Sequence, residues 1–272
     1  MTEIATHFLL STPAGEFKQI MKDLKHIIDD DVLNDAAASA VLTHLTSHML
    51  TVPYDNTSIV LSLQNVVDIA DLQFFNSKTK EVVSINPMKM TVVGQRPASD
   101  EEIEKFLGDD EIEIENLIEA IRSHIESFYV STTSGFEVVI DEECVYNVIL
   151  SGYQYDKQNF HSAKWNAVYR LESNDVGYEI TAKYSISSHF FESGNVQMNV
   201  NKEKTFIVDL KRTSEDWEER CIKRILDVEL AFHNDFIEFY NHIETDVFNQ
   251  ARRRMPIFGS TINWDNIQAY RQ

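Results

Sequence analysis

Glycine and proline are scarce in this chain, with 8 Gly and 5 Pro in 272 residues. That excludes collagen, flexible or Pro-rich linkers and a turn-dense sandwich, and leaves most of the length to helix or long strand. Cysteine is rarer still. Cys144 and Cys221 give no disulfide framework and no zinc spacing. No apolar run approaches the roughly 18 residues that span a bilayer, and the opening MTEIATHFLL has no basic leader ahead of an apolar stretch. A reduced, cytoplasmic setting is therefore expected. Positive charge is also short, Lys+Arg totalling 24 against 44 Asp+Glu, for a formal charge of -20. A field of that sign opposes nucleic acid and anionic membranes, so any contact with an anionic partner must be local. What is present is a 43% hydrophobic and 11% aromatic composition, enough for a real core.

The expected fold class is α+β. Its parts are an amino-terminal three-helix stalk, an antiparallel five-stranded meander sheet, one very long carboxyl-terminal helix and a short amphipathic tail. In the stalk, residues 1–52, Ile4, Phe8 and Leu9 precede a break at Pro13 and Gly15. From Glu16, the positions Phe17, Ile20, Met21, Leu24, Ile27 and Ile28 keep helical spacing until Asp30 and Asp31. A third helix over Val32 to Leu50 is stopped by Pro53. Residues 53–98 form a small β region with Ile59, Leu61, Leu63, Val82, Val83 and Ile85 in strands.

Residues 99–212 should hold one acidic helix, Asp100 to Tyr129, and then the sheet. Its first half carries Lys105 as the single cation among a run of carboxylates, the pattern of a solvated face. Alternation then assigns Phe136, Val138 and Ile140 to a buried face. The same holds for Tyr146, Val148 and Leu150, for Trp165, Ala167, Tyr169 and Leu171, and for Ile180, Ala182, Tyr184 and Ile186. In the fifth strand Val196, Met198, Val200, Phe206 and Val208 share one parity. Short connections make the simplest topology a meander with one buried face.

The long helix, residues 213–255, meets no Pro or Gly before Pro256. Trp217, Cys221, Ile225, Val228, Phe232, Phe236 and Phe239 run along it at spacings of three and four. A second stripe runs through Ile222, Leu226, Leu230, Ile237 and Tyr240. One stripe is enough to cover a sheet, so the surplus points to a partner chain and to one cooperative unit completed by it. After the helix come Arg252, Arg253 and Arg254, a basic cluster in an acidic protein. Helix-dipole compensation accounts for one or two of them. Arginine also grips carboxylates bidentately, which makes an acidic protein surface a suitable target. In the tail, residues 256–272, Asn263 can cap a short helix with Trp264, Ile267 and Tyr270 on one side. Those three either dock on the parent domain or anchor another protein in a helix-in-groove contact.

Catalysis has little to stand on. His44 and His48 are four apart on a helix, but Leu45 stands where a zinc protease motif needs glutamate. Neither cysteine has a recognisable catalytic base beside it, and no phosphate-cradling glycine pattern occurs. No enzyme activity, cofactor or metal is expected.

Four segments resemble one family, colinearly from end to end. Pro13-Ala14-Gly15-Glu16-Phe17 is similar to P-P-G-E-F. Asn159-Phe160 with Lys164-Trp165 resembles N-F-W-N-G-R-W, and Phe190-Phe191-Glu192-Ser193-Gly194-Asn195-Val196-Gln197 resembles Y-Y-E-D-G-N-V-Q. Arg252-Arg253-Arg254-Met255-Pro256 with Ile262-Asn263-Trp264 resembles L-R-R-x-L-P-V-T-R-x-K-I-x-W. The family is that of the F-actin capping protein alpha subunit. The resemblance implies a dimer in which alpha and beta subunits share one continuous sheet, with a carboxyl-terminal tentacle that binds the filament barbed end and blocks subunit exchange. It places actin binding on Arg252, Arg253, Arg254, Trp264, Ile267 and Tyr270. Partner contact is expected at Trp217, Ile225, Phe232, Phe236, Phe239, Val196 and Met198, with a beta subunit or a second copy as the partner. Phosphoinositides are a further implied ligand of the basic root. The family's basic positions fall here at Asn249, Gly259 and Thr261, and the centre of the second motif is His161-Ser162-Ala163. These departures mark a divergent member. A non-capping dimeric scaffold whose tail docks elsewhere is the alternative.

Overall fold

A computed structural model describes residues 1–13, 16–47, 49–55, 57–108, 111–129, 133–141, 145–175, 177–191, 196–209 and 217–242. The chain begins with three helices, α1 (Thr2–Leu10), α2 (Phe17–Leu24) and α3 (Asp30–Ser47). The alanine-rich side of α3 explains how α1 packs on it. Ala36, Ala37 and Ala40 are fully buried beside Ala5 and Leu9, and such small side chains permit close helix approach. The second helix stops sooner than its apolar spacing suggests. The amides of Ile27 and Ile28 both turn back to the Leu24 carbonyl, and Ile27 is left 76% exposed. The start of α3 forces that stop, since the Asp29 carbonyl already accepts its first helical bond from Leu33.

Two small sheets follow. The hairpin β1 (Leu50–Tyr54) and β2 (Thr57–Leu61) is joined by a 3-10 turn at Leu63–Asn65 to a four-stranded antiparallel meander. Its strands are β3 (Val66–Asp68), β4 (Gln73–Asn76), β5 (Glu81–Asn86) and β6 (Thr91–Pro97). Leu63, expected in a strand, lies in the exposed turn, where the Ser62 and Asn65 side chains cap each other's backbone.

The acidic stretch is two helices, not one: α4 (Asp100–Leu107) and α5 (Glu111–Phe128). Gly108 ends the first with φ +66, a conformation that glycine alone adopts without strain, and its amide donates to the Glu104 carbonyl. Ser99 and Glu102 form a capping box at the start of α4. Glu102 also takes a two-pronged contact from Arg96, at 2.6 and 2.7 Å.

The large sheet is the meander that the alternation implied. Strands β7 (Thr133–Ile140), β8 (Tyr146–Asp156), β9 (His161–Ser173), β10 (Tyr178–Phe190) and β11 (Val196–Val208) pair antiparallel in sequence order. The one-face rule holds in β9 and β10, where Trp165, Ala167, Tyr169, Leu171, Ile180, Ala182, Tyr184 and Ile186 are all buried. It fails in β7 and β8. Residues 136 to 139 and 146 to 152 are buried without alternation, because the β1–β2 hairpin packs on these strands and α4 and α5 also pack on β7. Gly135 lets β2 come close, for a Cβ there would sit 3.0 Å from the Ser58 carbonyl oxygen.

The last described element is α6 (Trp217–His242), 26 residues and roughly 39 Å at 1.5 Å per residue. The rest of the helix expected over 213–255 lies outside the described residues. The chain divides into two compact units, Met1–Ile222 and Lys223–Gln272, with the division inside α6.

Candidate interaction surface

Three of the sequence segments singled out above meet in space. Glu16, at the foot of α2, is buried and receives the Ser162 hydroxyl of β9 at 2.7 Å on Oε1. His189 of β10 brings Nδ1 to the same oxygen at 2.6 Å. With the carboxylate as acceptor, that ring nitrogen carries the proton. Around the trio the Phe191 amide donates to the Phe160 carbonyl at 3.0 Å, and the two rings meet edge to face. His161 stacks obliquely on Phe190, with ring centres 4.6 Å apart. The cluster ties α2 to β9 and β10 across 146 and 173 residues of sequence. No spacing rule could have found it. The signal available was the clustering of conspicuous residues around Glu16, Ser162 and Phe190.

The outer edge of β11 pairs with no strand among the described residues. Thirteen consecutive register pairs join its inner edge to β10, from Phe190 opposite Val196 to Tyr178 opposite Val208. Backbone amides and carbonyls along a free edge of that length are a template for another chain. Lys202, Glu203 and Lys204 are exposed in its middle, the kind of charge that discourages indiscriminate pairing. Met198 is half-buried on this strand, and Val196 opens it.

The helix residues expected to await a partner have a different setting. Trp217 is 2% exposed and stacks on Tyr178, ring centres 4.4 Å apart and planes 13° apart, with Tyr146 on its other flank at 5.5 Å. Those aromatics belong to β10 and β8, so Trp217 closes the core of its own sheet. Ile225 and Phe232 are buried in the chain alone, and Phe236 is half-buried. Phe239 lies within α6. Among the described side chains of α6, the large apolar ones left exposed are Leu230 and Ile237, at 39% and 57% exposure. Trp217, Ile225 and Phe232 are thus buried within the chain itself.

Arg252, Arg253, Arg254, Trp264, Ile267 and Tyr270 fall outside the described residues. Of the groups weighed for catalysis, His44 spends Nε2 on the Leu9 carbonyl at 3.1 Å. Burial, then the Glu218 charge, pushes the Cys221 thiol up to about 12, which makes it a packed side chain and not a nucleophile. His48 and Cys144 fall outside the described residues. Among those residues no group of three or more His, Cys, Asp or Glu could hold a metal ion.

A model of the F-actin capping protein alpha subunit family matches residues 5–272. The chain belongs to that family. Among curated relatives, the F-actin-capping protein subunit alpha of Dictyostelium discoideum is 25% identical over 281 residues, spanning 100% of this chain and 95% of the relative. That of Arabidopsis thaliana is 24% identical, spanning 97% and 88%. Among solved structures, the homodimeric actin capping protein alpha subunit from Plasmodium berghei superposes with a TM-score of 0.67 at 16% identity. It covers 94% of this chain and 96% of that one, which establishes a common fold. Family membership gives the convergence at Glu16 a context. Glu16 and Ser162 of the motif segments, with His189 just ahead of Phe190, hold the fold's start against its sheet, and Ser162 does so from within the eroded part of its motif.

Proposed function

We propose that this member of the capping protein alpha family is one subunit of a cytoplasmic dimer that occupies the barbed end of the actin filament and blocks subunit addition and loss. The observation that carries the reading is the family match from residue 5 to residue 272, which includes the basic and aromatic tail. Arg252 and Arg253, with Arg254 as an added charge, engage carboxylates on actin through bidentate contacts. Trp264, Ile267 and Tyr270 then anchor the tail as an amphipathic helix in a groove. The same basic root is where phosphoinositide head groups would compete, less strongly for want of cations at Asn249, Gly259 and Thr261. No catalytic step or cofactor enters this function.

The free edge of β11 supports a partner that continues the sheet, a beta subunit or a second copy of the chain. Met198 and Val196 would then lie at the seam. Mass measurement of the purified chain alone and with a beta subunit decides between the two. Replacing Met198 with Asp is expected to weaken the dimer while leaving thermal unfolding within about 1 kcal/mol of the parent, as a half-buried edge position should.

Elongation of actin from free barbed ends tests the activity. Substoichiometric protein should stop growth. Arg252→Glu with Arg253→Glu should retain the fold and lose about 2 to 5 kcal/mol of end affinity, because mispaired interface charge is costly. Undiminished growth at saturating protein would leave a dimeric scaffold whose tail docks on another protein.

A further inference from the structure

A cavity of about 540 Å³ opens between the loop after α1, the start of β1 and the strands β8 to β11. Small-molecule sites have this size and are mostly apolar with a few placed polar groups. One wall is apolar, made by Leu10, Pro13, Phe17, Leu50 and Pro53. The other presents Lys164 and Thr51, whose needs the protein does not meet. The Lys164 ammonium donates to the Met49 carbonyl and has further N–H groups to give. No carboxylate is among the described residues lining the space. Burial draws the pKa of Lys164 down to about 8, as befits a cation short of countercharge. Thr51 is 8% exposed, and its hydroxyl has no hydrogen-bond partner. A desolvated ammonium and an orphaned hydroxyl are both stabilised by one acceptor that carries negative charge.

The approach to the cavity has the same preference. A shallower recess of about 410 Å³ shares Lys18 and Tyr153 with it and is bordered by Lys22, Lys25 and Lys89. Asp23 on the same helix, the carboxylate next to Lys22 in sequence, accepts a hydrogen bond from the Gln19 amide at 3.0 Å. In a chain of formal charge -20 this is a local reversal of sign, which concentrates anions at the mouth.

We propose that the cavity binds a small amphiphilic anion, a carboxylate or phosphate monoester on an apolar stem. The head group sits on Lys164 and Thr51, and the stem lies along Phe17, Leu50 and Pro53. Among the described residues, β11 contributes Gln197 and Asn199 to the lining.

Calorimetric titration of the full-length protein, in the assembly that it forms, tests this with octanoate, octyl phosphate and octanol. One of the two anions should saturate a single site per chain and bind about tenfold tighter than the alcohol. Lys164→Met should cost about tenfold, Lys164→Arg should keep most of the affinity, and Thr51→Val should cost about threefold. Lys105→Met, on α4, should change nothing. Tighter octyl phosphate identifies a phosphorylated ligand, and tighter octanoate a carboxylic acid. Absence of saturation, octanol binding as well as both anions, or full affinity in a folded Lys164→Met variant would each overturn the proposal. If that variant does not fold, comparing anions with alcohol on the unsubstituted protein decides alone.

Discussion

The two edges of the large sheet end in opposite ways. On β7 the outward backbone groups are taken up by side chains. Lys78 Nζ donates to the Phe136 carbonyl and to the Ser58 carbonyl of β2, both at 2.7 Å, and the Val138 amide donates to the Ser77 hydroxyl oxygen at 3.1 Å. Glu137 completes the seam. Its Oε2 accepts from the Ser77 amide and hydroxyl at 2.9 and 2.7 Å, while Oε1 faces Lys78 at 2.9 Å with 0% of its side chain exposed. On β11 the outer edge pairs with no strand among the described residues, and Ile207 stands 58% exposed. An edge finished by its own chain requires buried polar groups in full mutual satisfaction. An edge left for a partner needs only regular backbone and modest charge. The difference marks one side of the sheet as interior and leaves the other open, in line with the assembly proposed there.

Three substitutions would break or sharpen that contrast. The largest effect is expected at the β7 seam. Lys78→Met strands the buried Glu137 carboxylate and should cost about 3 to 5 kcal/mol in urea-induced unfolding. A loss below about 1 kcal/mol would mean that the seam does not hold the edge. At the Glu16 cluster, Glu16→Ala leaves the buried Ser162 hydroxyl and His189 ring without their acceptor and should cost about 1 to 3 kcal/mol by the same measurement.

The smallest effect belongs to an exposed pair. Hydrogen bonding from Arg96, more than the Ser99 amide, holds the Glu102 carboxyl down from its ordinary 4.5 to about 2. A lowered carboxylate pKa stabilises the fold above the ordinary value and loses that contribution as pH falls through the folded one. Arg96→Ala should therefore cost less than about 1 kcal/mol at neutral pH, since Arg96 is largely exposed. The gap from the parent should close between about pH 4.5 and 2, and a gap persisting at pH 2 would exclude the ion pair as its source.

The strands of the large sheet were legible because alternation survives wherever one face meets water, as in β9 and β10. It was illegible in β7, where Glu137 sits fully buried at a position that the pattern gave to solvent. The break at Gly108 was missed because apolar spacing continues from α4 into α5 across it. The burial of Trp217 against Tyr178 is not legible in sequence, because a stripe on a helix does not reveal which sheet lies beneath. The Glu16 contacts escaped for a plainer reason, the distance in sequence between the residues that make them.

Composition alone settled that this is an acidic protein with too few turn formers for a sandwich, because those properties are sums over residues. Motif order along the chain was enough to suggest the family. Only tertiary structure decided which edge of the sheet is sealed, which helix stripe is already covered, and that a lysine and a threonine face a cavity without a counterion. Those outcomes depend on which distant surfaces meet, and a linear pattern of polarity constrains the face of each element without naming what it will touch.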